Sequence, residues 1–494
     1  MASPSDSSVM LRAGATAMRR VELSRPVRLA LEQGIVRPGD DMFDYGCGHG
    51  TDVGFLRELG HEAHGWDPVH CPDVERRQAA VVNLGYVLNV IEHPPDRRDA
   101  LEGAWRLAQR ALVVAVRTTN ELSSISCRSE HSDGVLTGAE TFQKLFTQAE
   151  ARQYLSDVLE HDAIPLSVGV FAVFRHAEAE QEWLESRRDR RQIRRLRRLV
   201  ERRQSVRDRA YEEHREALLP LEEFLASHGR LPQPGEFDWV ADVEDRLGSV
   251  PRAFQVIRHV ATEPWWDAAA EERRAELTVR FALARLRKRP KFTELPGVVR
   301  NDVKALFGSY RRACEQADDL LFSIGSSEVI REAARTAAVG KRTPDAFYAH
   351  LEAVDLWPAE LRVLVGAAEA LLGTVPDATL VKIHLDKPRV SWLVYPDFDT
   401  DPHPALAAAW VVDLRELDVR PSDYSTRENP PVLHRKELFV TTDYHRRDTF
   451  SRLTAQEERH GLLSDASTIG TRDGWNQRLS ESGWRLRGHR LVRQ

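Results

Sequence analysis

The stretch "FDYGCGHGTDVGFLRELGHEAHGWDP", residues 43–68, decides the fold. It opens with a short apolar run that stops at a glycine, which predicts a buried strand. Apolar residues at helical spacing follow and end at Gly60, a typical signal for the end of a helix. A second apolar run then ends at Asp67. Strand, glycine turn, helix, strand and acid form the layout of a nucleotide-binding βαβ unit.

Three glycines in the turn have separate roles in this interpretation. Gly46 and Gly48 allow a sharp turn and a close approach of the backbone to a ligand, and Gly50 allows close packing of the helix start. The first turn of the helix then offers N–H groups to a polar ligand. Asp67 lies about 20 residues beyond the turn, where a carboxylate binds ribose hydroxyls.

The spacing of the turn, D-x-G-x-G-x-G with Asp44 at the strand end, distinguishes two cofactor classes. It resembles motif I of class I S-adenosylmethionine-dependent methyltransferases and differs from the dinucleotide fingerprint. An ordinary tight strand-to-helix connection is the alternative. Because such a connection has no need of an acid at Asp67, we favour S-adenosylmethionine as cofactor, held by the three glycines and both aspartates.

The following segments extend this unit to about residue 176 as a Rossmann-like, doubly wound α/β domain. "AAVVNLGYVLNVIEHP" (79–94) predicts a strand and a turn, and "IPLSVGVFAVFR" (164–175) predicts a final pair of strands. Only 11 residues separate Asp67 from Ala79, too few for another helix and strand. We therefore expect one strand of the sheet to be missing or reduced.

The run "NLGY" (83–86) supplies the candidate catalytic residues. It resembles the N-L-P-Y or N-P-P-Y element of adenine and other amine methyltransferases, in which Asn83 would accept from the amine and Tyr86 would stack on the base. Gly85 replaces the usual proline and leaves the turn less rigid. In the alternative interpretation, Asn83 caps a turn and Tyr86 opens a helix.

Composition limits the class of protein. The chain has 494 residues, 42% of them hydrophobic and 30% charged, which predicts a globular protein of several domains. It has no apolar run of membrane-spanning length and no secretory signal, so we expect a cytoplasmic protein that does not bind membranes. Its four cysteines are widely spaced and predict neither a disulfide framework nor a thiolate zinc site. The net charge of −6 argues against coating nucleic acid through bulk charge.

We predict four regions from changes in pattern along the chain. They are a methyltransferase domain at 1–176, a basic helical arm at 177–228, an α-helical domain at 229–375 and a C-terminal α+β domain at 376–494. Helical patterns fill about 238–373, and "KELFVT" (436–441) is among the strands predicted for the last region.

The arm has 13 arginines against five acids between Arg187 and Arg215, a local charge of +8. Arginine binds phosphates well, so this segment is our candidate contact to DNA. A solvated helical arm without a ligand is the alternative. The acidic run "PDFDTDPH" (396–403) is interpreted as a loop, and no metal site is assigned.

Several further stretches together resemble one family, the DNA phosphorothioation-associated methyltransferases. They are "ELSRPVRLALEQG", "FDYGCGHGTDV", "GWDPVHCPD", "VVNLGYVLNVIEH", "TFQKLF", "VSWLVYPDFDTDPHPAL", "NPPVLHRKE", "IGTRDGW" and "GHRLV". The resemblance runs from about residue 15 to the end. It implies an association with the bacterial machinery that replaces a DNA phosphate oxygen by sulfur, and with proteins of that system as partners.

The sequence therefore predicts a methyltransferase that acts on DNA in a phosphorothioation or related defence system. Two alternatives remain open. One is a non-catalytic protein that binds S-adenosylmethionine as a partner or sensor, and the other is a small-molecule methyltransferase.

Overall fold

The fold is that of a computed structural model, which describes most of the chain. The described residues are 20, 22–124, 127–138, 141–186, 211, 214–261, 264–375, 377–465 and 467–494.

The N-terminal region contains one large sheet, a small sheet and four helices among its described residues. The strands are β1 (Asp41–Tyr45), β2 (Glu62–Trp66), β3 (Ala79–Gly85), β4 (Ala108–Ala115), β5 (Cys127–His131), β6 (Gly134–Thr137), β7 (Phe142–Gln143), β8 (Ala163–Ser167) and β9 (Val170–Phe174). The helices are α1 (Arg25–Glu32), α2 (Thr51–Glu58), α3 (Pro94–Leu107) and α4 (Gln148–Leu159). The small sheet joins β5, β6 and β7.

The large sheet has the strand order β2-β1-β3-β4-β9-β8. The first four strands are parallel, and β9 is antiparallel to both of its neighbours. This confirms the predicted α/β sheet and its final pair of strands. No strand forms between Asp67 and Ala79, as the short link predicted, so β2 is the edge of the sheet. Strands β1 and β3 are neighbours although a helix and a strand separate them in sequence, and their carboxyl ends form the edge where doubly wound folds bind ligands.

Helices cover both faces of this sheet. One buried cluster joins the sheet to α3 and α4 through Phe43, Leu84 and Leu101, and the opposite cluster joins it to α1 and α2 through Val27 and Leu56. Because both faces are covered, the strands are almost wholly apolar, and a polar side chain inside them stands out.

Helices dominate the next region. Residues 177–186 are helical, and Trp183 is buried against Phe174 of the sheet. The helices that follow are α5 (Arg215–His228), α6 (Trp239–Leu247), α7 (Val250–Val260), α8 (Trp265–Ala284), α9 (Gly297–Phe307), α10 (Tyr310–Ser323), α11 (Ser327–Thr336) and α12 (Ala359–Leu372).

A second sheet lies in the C-terminal half, with the order β10-β11-β12-β13-β14-β15. Its strands are β10 (Lys341–Arg342), β11 (Ala346–His350), β12 (Leu380–His384), β13 (Arg389–Val394), β14 (Ala408–Asp413) and β15 (Asp418–Asp423), all antiparallel to their neighbours. Two further helices, α13 (Arg447–Arg459) and α14 (Arg472–Ser482), precede a hairpin of β16 (Trp484–Leu486) and β17 (Leu491–Arg493).

Two predictions for this half were wrong in detail. The helical pattern assigned to 238–373 contains β10 and β11, because Phe347 and Ala349 are buried against β12 in the second sheet. The division at residue 376 therefore separates strands that pair with each other. The segment "KELFVT" begins as a short 3-10 helix, Lys436–Leu438, because Arg435 has a left-handed backbone (φ 59°) that stops a strand.

Candidate functional site

The glycine-rich turn has the conformation that the sequence predicted. The φ angles of Gly46, Gly48 and Gly50 are 88°, 53° and 70°, all in the left-handed region that other residues avoid. A Cβ at Gly46 would lie 2.3 Å from the Cγ2 of Val87, so this position also has no space for a side chain. The turn ends at α2, whose first N–H groups have no partners within the helix.

Asp67 connects the end of β2 to this turn. Its Oδ2 accepts a hydrogen bond from the backbone N–H of Gly48 at 3.1 Å, and its Oδ1 accepts from those of Val69 and His70 at 2.9 Å each. A carboxylate has about four acceptor sites, so one remains for a ligand hydroxyl. The acid and the glycine turn therefore form one unit at the sheet edge.

Asp44 and Asn83 form the polar centre of the sheet. They face each other in the paired strands β1 and β3, and the Nδ2 of Asn83 donates to the Oδ1 of Asp44 at 2.7 Å. Burial, and then the nearby Asp52 carboxylate, raise the pKa of Asp44 to about 7. The Oδ1 of Asn83 is buried and has no hydrogen-bond partner in the described chain. A polar pair with spare capacity in an apolar sheet indicates a functional site.

Residues just before α1 close over the helix that follows the turn. The backbone N–H of Ser24 donates to the Oδ1 of Asp52 at 2.7 Å, and Arg20 lies 3.7 Å from the other oxygen of that carboxylate. The hydroxyl of Ser24 is also buried without a partner. Sequence reasoning missed this cover, because nothing local to residues 20–25 indicates that they contact Asp52.

Tyr86 follows β3 directly, and its backbone is left-handed, with φ at 62°. Burial raises the pKa of its phenol, and the charge of Arg25 opposes this shift. Arg25 also donates to the Oγ of Ser167 at 2.6 Å. No helix begins at Tyr86, and Asn83 lies inside β3, so the alternative of a turn cap followed by a helix is wrong. The catalytic roles of Asn83 and Tyr86 themselves stay predictions.

Gly85 stands where the resembled motif has proline. A Cβ at this position would lie 3.1 Å from the Nδ2 of Asn83 and 3.5 Å from the Cγ of Pro26. A larger side chain would therefore crowd both Asn83 and the start of α1. The packing of α1 on the strand end gives a physical reason for glycine here.

These residues fit S-adenosylmethionine. The left-handed glycines allow a ligand to approach the backbone, Asp67 has an acceptor site for a ribose hydroxyl, and Ser24 and Asn83 have buried oxygens without partners. The basic arm cannot be placed beside this site, since residues 187–210 lie outside the described residues.

A second polar cluster lies in the C-terminal half. His403, in the acidic run 396–403, approaches Glu457 of α13 with its Nε2 at 2.7 Å from the Oε1 of the acid. Its Nδ1 lies 3.1 Å from the carbonyl of Leu433 and therefore carries a proton. Burial raises the pKa of Glu457 to about 7 and lowers that of His403 to about 4, so between these two values the pair carries no net charge.

Lys436 belongs to the same cluster. It is 2% exposed, and its Nζ donates to the carbonyls of Phe398 and Asp401 at 2.6 Å each and lies 3.2 Å from the Nε2 of His489. Burial lowers the pKa of its ammonium group to about 7. Two further histidines that are far apart in the sequence, His434 and His489, also lie against this cluster. Within the described residues, no group of three His, Cys, Asp or Glu side chains is arranged to hold a metal ion.

Comparison with solved structures gives resemblances to methyltransferases over about a third of the chain. The 1,6-didemethyltoxoflavin-N1-methyltransferase of Burkholderia thailandensis, solved with S-adenosylhomocysteine, is 15% identical, with a TM-score of 0.28 over 35% of this chain and 91% of that one. The magnesium protoporphyrin IX methyltransferase of Synechocystis PCC 6803 is 13% identical, with a TM-score of 0.21 over 35% and 95%.

Sequence comparisons identify no relative of this chain. No protein-family model matches the chain, and no curated protein matches it. Among the described helices, none has the length and apolar character needed to cross a membrane. The assignment of function therefore rests on the geometry of the sheet edge.

Proposed function

We propose that this protein is an S-adenosylmethionine-dependent methyltransferase. The proposal rests on the hydrogen bond from the backbone N–H of Gly48 to Asp67, which joins the acid proposed to bind ribose to a left-handed glycine turn. The bound cofactor supplies an electrophilic methyl group for in-line displacement, so the protein mainly positions the acceptor.

In this proposal, different residues bind the cofactor, position the acceptor and cover the site. The glycine turn and Asp67 hold the nucleoside end of the cofactor, and Asp44 keeps Asn83 in place at the end of β3. Asn83 accepts from the acceptor's amine, and Tyr86 offers a planar face for a base or small ring. Ser24 and Arg20 contact Asp52 and cover the start of α2.

Calorimetry with S-adenosylhomocysteine tests the cofactor assignment. We expect the wild-type protein to bind and Gly46→Val to lose binding, because valine meets Val87 and cannot adopt the left-handed turn without strain. Gly54→Ala is the matched control, since a Cβ there has open space inside α2. Tight binding of a nicotinamide dinucleotide, with none of S-adenosylhomocysteine, would show that the cofactor assignment is wrong.

We further propose DNA as the acceptor, in a phosphorothioation or related defence system. The 13 arginines between Arg187 and Arg215 support this, since they provide phosphate contacts. Labelled S-adenosylmethionine should transfer its methyl group to cellular DNA in preference to RNA, protein and metabolite fractions. Transfer to metabolites alone would favour a small-molecule enzyme. Cofactor binding without any transfer would favour a sensor or partner protein.

A further inference from the structure

A cavity of about 250 Å³ lies where the N-terminal sheet meets the helical region. Its walls come from β8 of the sheet, from the helical residues 177–186, and from α8 and α12. Ligand sites occur preferentially at such junctions between units. The volume is below the roughly 300–1,000 Å³ of sites for drug-sized ligands, so the cavity suits a small molecule.

Glycine in α12 keeps one wall of this cavity open. A Cβ on Gly366 would lie 2.5 Å from the Cδ1 of Leu283, so a larger residue would push that leucine away from α12. Leu184 and Leu277 also belong to the apolar part of the lining. The cavity therefore has an apolar body that a hydrocarbon or aromatic group can fill.

Two arginines of the lining are neutralised by the protein itself. Arg273 lies 3.2 Å from a carboxylate oxygen of Glu185 and 3.4 Å from Glu276, and Arg280 forms an ion pair with the other oxygen of Glu185. In these ion pairs the glutamates balance the charge of the arginines, and the pairs stabilise this side of the cavity. They leave no net charge that would attract a ligand.

Two other lining arginines have fewer charged partners than Arg273 and Arg280. The guanidinium group of Arg362, on α12, has no hydrogen bond or ion pair with any described residue. Arg287 meets Glu180 at 3.5 Å, and its Nε is buried without a partner. Burial raises the pKa of Glu180, and the charge of Arg287 opposes this shift. Among the described residues, Glu180 is the carboxyl group that pairs with Arg287. The carboxylate of Glu369, which has no partner among the described residues, also lines the cavity. It lies seven residues from Arg362 on α12 and disfavours a ligand with a second anionic group.

We propose that this cavity binds a small organic anion, with one carboxylate or phosphate group at Arg287 and Arg362 and an apolar body against Leu184, Leu277 and Leu283. Guanidinium groups pair with oxyanions through two parallel hydrogen bonds, which gives both affinity and orientation. The site is separate from the edge of β1 and β3, and it does not depend on methyl transfer.

Calorimetry on the full chain tests this with three probes of one shape. Benzoate and phenyl phosphate carry the anion on an aromatic body, and benzylamine carries a cation on the same body. We expect the two anions to bind and benzylamine not to bind. Inorganic phosphate should bind at least tenfold more weakly than phenyl phosphate, since it lacks the apolar body.

Substitutions of the two arginines test whether the anions bind in this cavity. Arg362→Gln and Arg287→Gln should each weaken phenyl phosphate binding about tenfold or more, because each loses charged hydrogen bonds. Arg311→Gln, at an exposed arginine of α10, is the matched control and should bind as wild type. Arg362 is only partly buried, so its variant should fold even if Arg287→Gln does not. Equal binding of benzylamine, no binding of either aromatic anion, or unchanged affinity in Arg362→Gln would each overturn the proposal.

Discussion

Buried polar residues set the chemistry of the sheet edge. Asp44 lies at the end of a strand, 5% exposed, and Asn83 is 2% exposed in the neighbouring strand. A buried carboxyl group without a cation in contact favours its neutral form. The protonation of Asp44 therefore changes near neutral pH, where an exposed aspartate would already be ionised.

Asp44 should make the stability of the protein depend on pH. Its pKa is about 7 in the folded protein against 3.8 as the ordinary value, so its contribution is fully present below about pH 4 and is lost as the pH rises to about 7. Urea unfolding should show that the wild type loses more free energy of unfolding between pH 5 and pH 8 than Asp44→Asn, by up to a few kcal/mol. Asp73→Asn, in an exposed loop, should behave as wild type. Identical pH profiles for the wild type and Asp44→Asn would contradict this prediction.

Asn83 and Tyr86 should act on the acceptor and not on the cofactor. We expect Asn83→Ala and Tyr86→Ala each to reduce turnover by at least a hundredfold, with the affinity for S-adenosylhomocysteine within a few-fold of wild type. Turnover and calorimetry are measured on the same preparations, with the melting temperature as a check on folding. Since Asn83 also donates to Asp44, Asn83→Asp is the second variant, because it keeps an acceptor oxygen but loses that N–H donor. Normal transfer in Asn83→Ala would refute the amine mechanism.

Helix α13 brings residues that are distant in sequence into contact with each other. Helix α13 presents Phe450, Thr454 and Glu457 to the interior, and these contact Lys436, Glu437 and His403 respectively. The spacing of four and three residues places all three on one face of the helix. This pattern predicts an amphipathic helix, yet the buried face includes the carboxyl group of Glu457, which is 1% exposed.

Glu457 should stabilise the protein through a hydrogen bond and not through its charge. Glu457→Gln keeps a donor for the Nε2 of His403 and should change the free energy of unfolding by less than about 1 kcal/mol. Glu457→Met has a similar length but leaves that nitrogen unpaired, and should destabilise by about 1–3 kcal/mol. Urea unfolding at pH 7 compares them. Equal losses in the two variants would mean that the charge or the packing matters instead.

Backbone contacts join the two halves of the whole molecule. The N–H of Thr374 donates to the carbonyl of Leu166, and the Oγ of Ser167 donates to the carbonyl of Thr374. A Cβ on Gly373 would lie 2.7 Å from the backbone nitrogen of Ser167, so only glycine permits this approach. The same Ser167 accepts from Arg25 near Tyr86, which places the junction beside the candidate site.

The basic arm should govern DNA binding by the whole protein. We expect weak binding that falls with salt, because each phosphate contact adds close to one unit to the slope of log affinity against log salt. Changing Arg194, Arg195, Arg197 and Arg198 to glutamine should flatten that slope in fluorescence anisotropy with duplex DNA. Arg311→Gln, distant in sequence, is the control. An unchanged slope in the fourfold variant would contradict the prediction and favour the alternative of a solvated arm without a ligand.

Neighbouring residues encode the local features of this fold. The order of strand, glycine turn, helix and strand at residues 43–68 follows from apolar periodicity and from glycines at positions with left-handed backbone. Both signals are present in the local sequence. The shortened sheet follows from an 11-residue link, which is a matter of chain length.

The tertiary structure alone decided which distant groups meet. The register of the parallel strands places Asn83 beside Asp44, 39 residues away, although its motif had indicated only a substrate contact. Packing of separate loops and helices gathers His403, Lys436 and Glu457, and pairing with β12 turns residues 346–350 into a strand. These contacts join segments far apart in the chain, so strand register and the packing of separate elements determine them. No pattern of neighbouring residues encodes that register or packing.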